Sequence, residues 1–328
     1  MENLKTYIGI DISKNTLDIW MDGPDQKHSH FCIDNKKADI RRFFKKHTEA
    51  AGLEIAMENT GRYNWSLYDV LPVLGLDFYL LNPLDLKRSL GLARGKSDKA
   101  DASRIAAYIR RNGDAHQHHK VPPQAVRQLK TLLSERDSLA NRKRQVKTKM
   151  AEIGLLKFIE LDVTIRKLYK KEIQFLGEQI AKIEHMIEQT MQTDKSMITN
   201  FKLLVSIPGV GKIVAWYLLA KTENFAKIKT ARKFACFAGV SPFSKQSGLF
   251  KGRDRLSSFA DKQMKKMLHL AALSTIRLEN NLAYYYHRKV AEGKNKMSAL
   301  NAVRNKIVHI AYALIKNQKK YENNLLLS

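Results

Sequence analysis

Leu129, Leu132, Arg136, Leu139, Lys143, Val146, Met150 and Ile153 recur alternately three and four positions apart, and Ile173, Leu176, Ile180, Ile183 and Ile187 repeat that spacing. Side chains at this period share one face of an α-helix, and that face needs a second helix to cover it. The spacing predicts two long helices, packed as an antiparallel hairpin or as a coiled coil joining subunits. Arg136 and Lys143 interrupt the first seam with charge, which argues against an unbroken coiled coil. The helical pair divides the 328-residue chain into a part before it and a part after it.

Before the pair the period changes. "YIGIDIS", "TLDIWMDG", "HSHFCID", "LEIAMENTG" and "LDFYLLNP" read as short strands bounded by turn residues. "NKKADIRRFFKKHTEA" has helical spacing, with Ile40, Phe43 and Phe44 on one side, and "NWSLYDVLPVLG" reads as a helix containing Pro72. A further helix starts within "GKSDKADASRIAAYIR". The order β-β-β-α-β-α-β-α implies an α/β domain over residues 1–115, a mixed sheet covered by helices. A connector, 116–123, ends in a proline pair. Residues 124–195 form the helical segment, and 196–328 a mainly helical domain with a Gly- and Ser-containing loop from Gly239 to Ser258.

Charge separates the same parts. Residues 1–110 carry 17 basic and 15 acidic side chains, whereas the remainder carries 41 basic and 17 acidic ones, within a total of +26. A neutral front and a strongly basic back suggest chemistry in front and polyanion binding behind. Nucleic acid fits better than an anionic membrane, because no apolar stretch reaches spanning length and no lipidation motif occurs. No secretory leader is expected at the N-terminus, and Cys32 and Cys236 are too few and too far apart for a disulfide framework or a cysteine-based zinc site. A cytoplasmic, nucleoid-associated protein is expected.

Three constellations carry candidate chemistry. Asp11 and Glu58 close two of the strands, and Asp98 and Asp101 open a helix with both carboxylates on one face. Singly, these are strand ends and first-turn charges. Together at one sheet edge they would repel unless cations neutralise them, and Mg²⁺ is the ordinary cytoplasmic choice for oxygen ligands. The second constellation, "SIPGVGK" between apolar helices, has the form of a helix-hairpin-helix, with Gly209, Gly211 and Lys212 set to meet a DNA phosphate at a helix start. The third, "FACFAGVSPFSKQSGLFKGRDRLS", places Ser241, Ser244 and Ser247 among Lys245, Lys251, Arg253 and Arg255. A hydroxyl among cations could attack a phosphodiester, but serines in polar loops are usually turn formers, and the residues alone do not choose between them. The connector histidines, His116, His118 and His119, read as a solvated linker, and Tyr284, Tyr285 and Tyr286 as packing and nucleic-acid contacts.

Four pieces in this order, "IGIDISKNTLD", "AMENTGRY", "GKSDKADASRIA" and "SIPGVG…FACFAGVSPFSKQSG", resemble the DEDD transposases of bacterial insertion sequences, a family that includes Piv-type DNA invertases and bridge-RNA-guided recombinases. The resemblance runs over nearly the whole chain; one departure is Ser97, where threonine is common. It implies a RuvC-like, RNase H-type front domain with Asp11, Glu58, Asp98 and Asp101 holding Mg²⁺ (or Mn²⁺). It implies a transposase domain behind, whose nucleophilic serine, in a Ser-Gly motif, matches Ser247 followed by Gly248. It further implies donor and target DNA as substrates, a structured guide RNA as partner, and homodimers pairing into tetramers with composite sites. A Piv-type invertase, a RuvC-like metal-dependent junction endonuclease and a non-catalytic nucleic-acid-binding protein are the alternatives.

Overall fold

The computed structural model describes residues 5–23, 27–47, 52–89, 97–153, 162–243, 246–247, 250–251, 255–256 and 260–323. They fall into two units, Met1–Val121 and Pro122–Ser328.

The front unit is built on β1 (Thr6–Ile12), β2 (Thr16–Asp22), β3 (His28–Asp34), β4 (Leu53–Glu58) and β5 (Phe78–Leu81), in the order β3-β2-β1-β4-β5. β1, β2 and β3 pair antiparallel, while β4 and β5 run parallel to β1. This mixed sheet is compatible with the RNase H-like domain that the resemblance implies. Strand alternation sends Ile8, Ile10, Leu17, Ile19, Ile55 and Met57 to one face. There they meet Ile40, Phe43 and Phe44 of α1 (Lys37–Lys45) and Leu67 and Val70 of α2 (Trp65–Val70). Burying each such side chain contributes about 1.5–3 kcal/mol. The "NWSLYDVLPVLG" segment is less regular than its pattern suggests: two 3₁₀ turns, Gly61–Asn64 and Pro72–Leu74, flank α2. Pro72 has no N–H to continue the helix, and Gly75 closes the second turn at φ +71°.

α3 (Pro83–Ser89) follows β5, and α4 (Asp98–Asn112) covers the other face of the sheet. Ile105 and Ile109 of α4 pack there with Ala56, Tyr79 and Leu81. The approach of α4 is close because Gly9 has no side chain: a Cβ there would lie 2.1 Å from the Ala102 carbonyl oxygen and 2.4 Å from the Ala106 nitrogen.

The back unit begins with the two long helices, α5 (Gln124–Ile153) and α6 (Asp162–Gln192). Arg136 reaches Glu184 at 2.8 Å and Arg142 reaches Glu172 at 3.9 Å, so the helices run antiparallel as a hairpin. Every residue of the two seams is buried or partly buried. The interruptions have local solutions. Arg136 pairs with Glu184, and the Lys143 ammonium lies over Gly177, where an added Cβ would stand 2.6 Å from it.

The remainder comprises α7 (Lys195–Val205), α8 (Lys212–Thr222), α9 (Ala231–Phe237), α10 (Lys262–Thr275), α11 (Asn281–Ala291) and α12 (Lys296–Asn317). Asp194, Thr230, Asp261, Asn280 and Asn295 cap α7, α9, α10, α11 and α12 through their side chains. α8 runs through the core, with Trp216, Leu218 and Leu219 fully buried. The segment read as a loop contains two short antiparallel pairs: β6 (Pro242–Phe243) with β9 (Arg255–Leu256), and β7 (Gln246–Ser247) with β8 (Phe250–Lys251). Among the described residues no helix is long and apolar enough to cross a membrane.

Candidate active site

The parallel register sets Gly9 beside Ala56 and Ile10 beside Met57, so Asp11 and Glu58 follow as neighbours at adjacent strand ends. Alternation turns both toward the face that α4 covers. Ser97 caps α4, its hydroxyl accepting from the Ala100 N–H at 3.2 Å, which makes Asp98 the first helical residue. The small trio Gly9, Ala102 and Ala106 brings that helix close to β1. The spacing of apolar residues does not single out this close approach; its signal in the sequence is the absence of bulk at Gly9 and at two alanines four positions apart.

The acids crowd one another. Burial raises the Asp11 pKa from its ordinary value to about 6, and the charges of Asp101, Asp98 and Glu58 push the same way against one backbone N–H at Ile12. Asp101 is held by Arg104 at 2.7 Å. The ammonium of Lys99 lies 5.8 Å from the Trp20 ring, which stacks on His28. Among the described residues no three His, Cys, Asp or Glu side chains stand close enough, as arranged, to hold one metal ion. Asp11 is therefore within electrostatic reach of the other three acids, although no three of the four close on a single point. Their donor set, all carboxylate oxygen, is suited to a hard divalent cation.

In the back unit, Gly209 joins α7 to α8 at φ +79°, and a Cβ there would lie 2.5 Å from the Thr275 nitrogen and 2.6 Å from the Ala271 carbonyl oxygen. The turn is thus pressed against α10, and Thr275 donates its hydroxyl to the Pro208 carbonyl at 2.6 Å. Gly211, the exposed N-cap of α8, has open space around it. Lys212 pairs with Glu184 at 3.2 Å and Glu188 at 3.6 Å and lies 5.4 Å over the Trp216 ring. Hydrogen bonding to Glu184 raises its pKa, so it stays charged but already engaged. Ser247 lies on β7 opposite Phe250, with Gln246 opposite Lys251. Arg255 lies on β9 and Ser241 just before β6, whereas Ser244, Lys245, Gly248 and Arg253 fall outside the described residues.

Comparison with known proteins covers both units. A DEDD family model of the IS110 type, described as a transposase, matches residues 8–159, and the model of the IS116/IS110/IS902 transposase family matches residues 201–287. The chain is 25% identical to a pilin gene-inverting protein of Moraxella lacunata, over 98% of its own length and 99% of that protein's. It is 24% identical to a probable family 20 transposase of Pseudomonas aeruginosa, over 82% of the chain and 84% of the relative. It is also 26% identical to an uncharacterized 42 kDa protein of insertion element IS900 from Mycobacterium paratuberculosis, over 49% of the chain and 40% of the relative. With an acid-bearing sheet in front and a Gly-x-Gly turn and serine strand behind, each falling under a model of the same kind, the chain belongs to the IS110 family of DNA transposases.

Proposed function

We propose that the chain is a site-specific recombinase of an insertion sequence, cutting and rejoining DNA through Ser247 while Asp11, Glu58, Asp98 and Asp101 hold a divalent cation. The observation that carries this reading is Asp11, half-buried at a strand end where the charges of Asp101, Asp98 and Glu58 bear on it. Folding gathers negative charge there, and a cation would relieve it. Bound to these carboxylates, Mg²⁺ or Mn²⁺ would supply positive charge for the phosphodiester during cleavage. Arg104 meanwhile steadies Asp101.

Ser247 Oγ attacks the phosphorus; the Oγ–P bond forms as the bond from phosphorus to one deoxyribose oxygen breaks. The serine proton leaves to solvent and the departing oxygen takes one up, giving a phosphoserine link and a free hydroxyl. Attack by the hydroxyl of another strand reverses the step and restores Ser247. Lys245, Lys251, Arg253 and Arg255 offset the charge that builds on the phosphate oxygens. The α7–α8 turn serves as a helix-hairpin-helix, with Gly209 shaping the bend and Gly211 opening a helix start toward the DNA backbone, while the Lys212 side chain stays with Glu184 and Glu188. The basic back half suits a structured guide RNA, whose base pairing supplies specificity while the protein holds its backbone. In this reading residues 1–115 are the RuvC-like domain, 124–195 a coiled-coil oligomerisation segment, and 196–328 the transposase domain of a dimer that pairs into a tetramer in the nucleoid.

Replacing Ser247 with Ala should abolish the DNA–protein adduct seen on denaturing gels while leaving DNA binding intact. Adduct at the wild-type level would overturn the serine's role, and cleavage unchanged in EDTA would overturn the cation's. A second reading, inversion of a chromosomal segment, is favoured by the end-to-end match to the pilin gene-inverting protein. An invertible segment beside the gene, in place of a non-coding region complementary to the insertion junction, would select it. A RuvC-like junction endonuclease would cleave without any adduct.

A further inference from the structure

Partly buried cations of the back unit are generally matched by acids: Lys130 reaches Glu223 at 2.8 Å, Arg136 reaches Glu184 at 2.8 Å and Lys221 reaches Asp261 at 2.6 Å. Arg304 on α12 is more deeply buried, at 5% exposure, and pairs with no carboxylate among the described residues. One of its terminal nitrogens donates to His269 Nδ1 on α10 at 2.5 Å, and its Nε has no hydrogen-bond partner. A guanidinium only donates, so Nδ1 must offer its lone pair and the imidazole proton sits on Nε2. Burial, and then the charge of Arg304, lower the His269 pKa and keep the ring neutral. A buried cation lacking a counter-charge is costly, which makes Arg304 an unfinished pair.

Its surroundings indicate what completes it. The preceding turn of α12 carries Asn301, whose amide donates to the Val240 carbonyl at 2.9 Å. Val240 leads into β6 and so into the strand segments bearing Ser247. On α10, Lys265 and Lys266 stand one turn before His269, and neither forms an ion pair among the described residues. Lys265 also lies against Gly239, next to Val240. Two cations without acid partners among the described residues thus stand one helical turn from a partly exposed imidazole that is bonded to a buried guanidinium. A carboxylate side chain could fill such a site, but a row of cations tracks a polyanion.

We propose that Arg304, with His269 beside it, binds one phosphate of the DNA backbone at the root of the strand segment that carries Ser247. The proposal rests on the reading of the back unit as DNA-binding, and it is tested by binding rather than by cleavage. The full chain would be titrated against a fluorescent 20-bp duplex of arbitrary sequence over a range of salt. Arg304→Met should lower affinity about tenfold and flatten the plot of log K against log salt by about one phosphate's worth. Arg304→Lys should recover part of the slope. Should the Met variant not fold, His269→Asn keeps an acceptor for Arg304 and loses the Nε2 N–H; it should weaken binding about tenfold, as loss of one hydrogen bond to a charged group does. A folded Arg304→Met, or the Asn variant, with wild-type affinity and slope would make the pair merely structural. Those outcomes leave the Ser247 adduct untouched, whereas a wild-type chain that binds no duplex at all overturns both readings.

Discussion

In the front unit the half-buried Asp11 faces Asp98, Asp101 and Glu58 with no basic side chain paired to it among the described residues, whereas in the back unit the buried Arg304 faces an imidazole with no acid paired to it. Several other partly buried charges find partners within their own unit: Glu54 takes Lys5 and Tyr79 in front, and Glu184 takes Arg136 and Lys212 behind. The residual charges are opposite in sign. A protein that handles a phosphodiester needs both, negative groups to collect a cation and positive groups to hold the phosphate itself. A binding module would need only the second, since carboxylates near DNA cost affinity unless a cation bridges them.

The sharpest way to break this division of labour is to remove the front charge and watch the back function. Asp11→Asn should lower DNA cleavage by on the order of 10³-fold or more, the scale of losing a metal-assisted step. Duplex binding by the same variant, followed by anisotropy, should stay within twofold of wild type. A parallel loss of binding would mean that the acids also position DNA, and the two units could not be assigned separate tasks.

Next in size is the packing that creates the crowding. Gly9→Ala places a methyl against the backbone of α4, at Ala102 and Ala106, where no side chain can swing aside. It should cost about 3 kcal/mol, the upper range for overpacking against a rigid neighbour. Hydrogen exchange should show α4 losing protection while α8, in the back unit, keeps it. Equal loss in both would deny that the units are separately stabilised.

The Asp11 pKa predicts a smaller, pH-dependent effect. Its folded value, about 6, lies above its unfolded value, so the folded chain holds the extra proton. Stability without divalent metal should be highest below about pH 4 as far as this group is concerned, fall as pH rises toward 6, and level off beyond. The change should be roughly 1 kcal/mol once solvent screening of a half-exposed group is allowed for. Asp11→Asn should flatten the curve. Mg²⁺ affinity should rise over the same interval, because the proton must leave before the oxygen can bind. A curve that instead climbs with pH in wild type alone would mean Asp11 has a basic partner.

Much of this was legible in the sequence. The seams from Leu129 and Ile173 mark both long helices because the three-and-four period persists through Arg136 and Lys143, and alternation with turn residues marks Asp11 and Glu58 as strand-end acids. What sequence alone could not show depends on neighbours remote along the chain. Gly9 reads as an ordinary strand glycine until α4 is placed on it. Lys212 reads as a free phosphate ligand until Glu184 and Glu188 arrive from α6. Arg304 sits in an unremarkable amphipathic helix, and only the packing of α10 against α12 reveals that it is buried. The short strands around Ser247 carry too few residues for a period to emerge from a polar, glycine-containing stretch.

A second glycine tests the comparison at its smallest scale. Gly177 on α6 is also crowded, but what a Cβ would meet there is the far end of Lys143, 2.6 Å away, and not backbone. The ammonium can rotate toward solvent, while alanine is favoured over glycine in a helix interior by about 1 kcal/mol. Gly177→Ala should therefore stabilise the chain by about 0.5 kcal/mol in denaturant titration, after part of that gain is spent moving the lysine. A loss of about 1 kcal/mol instead would show that Lys143 is as fixed in the helical pair as Ala102 is in the front unit. The contrast between Gly9 and Gly177 would then reflect local crowding alone, and not the difference between a sheet–helix contact made backbone to backbone and a helix pair made through side chains.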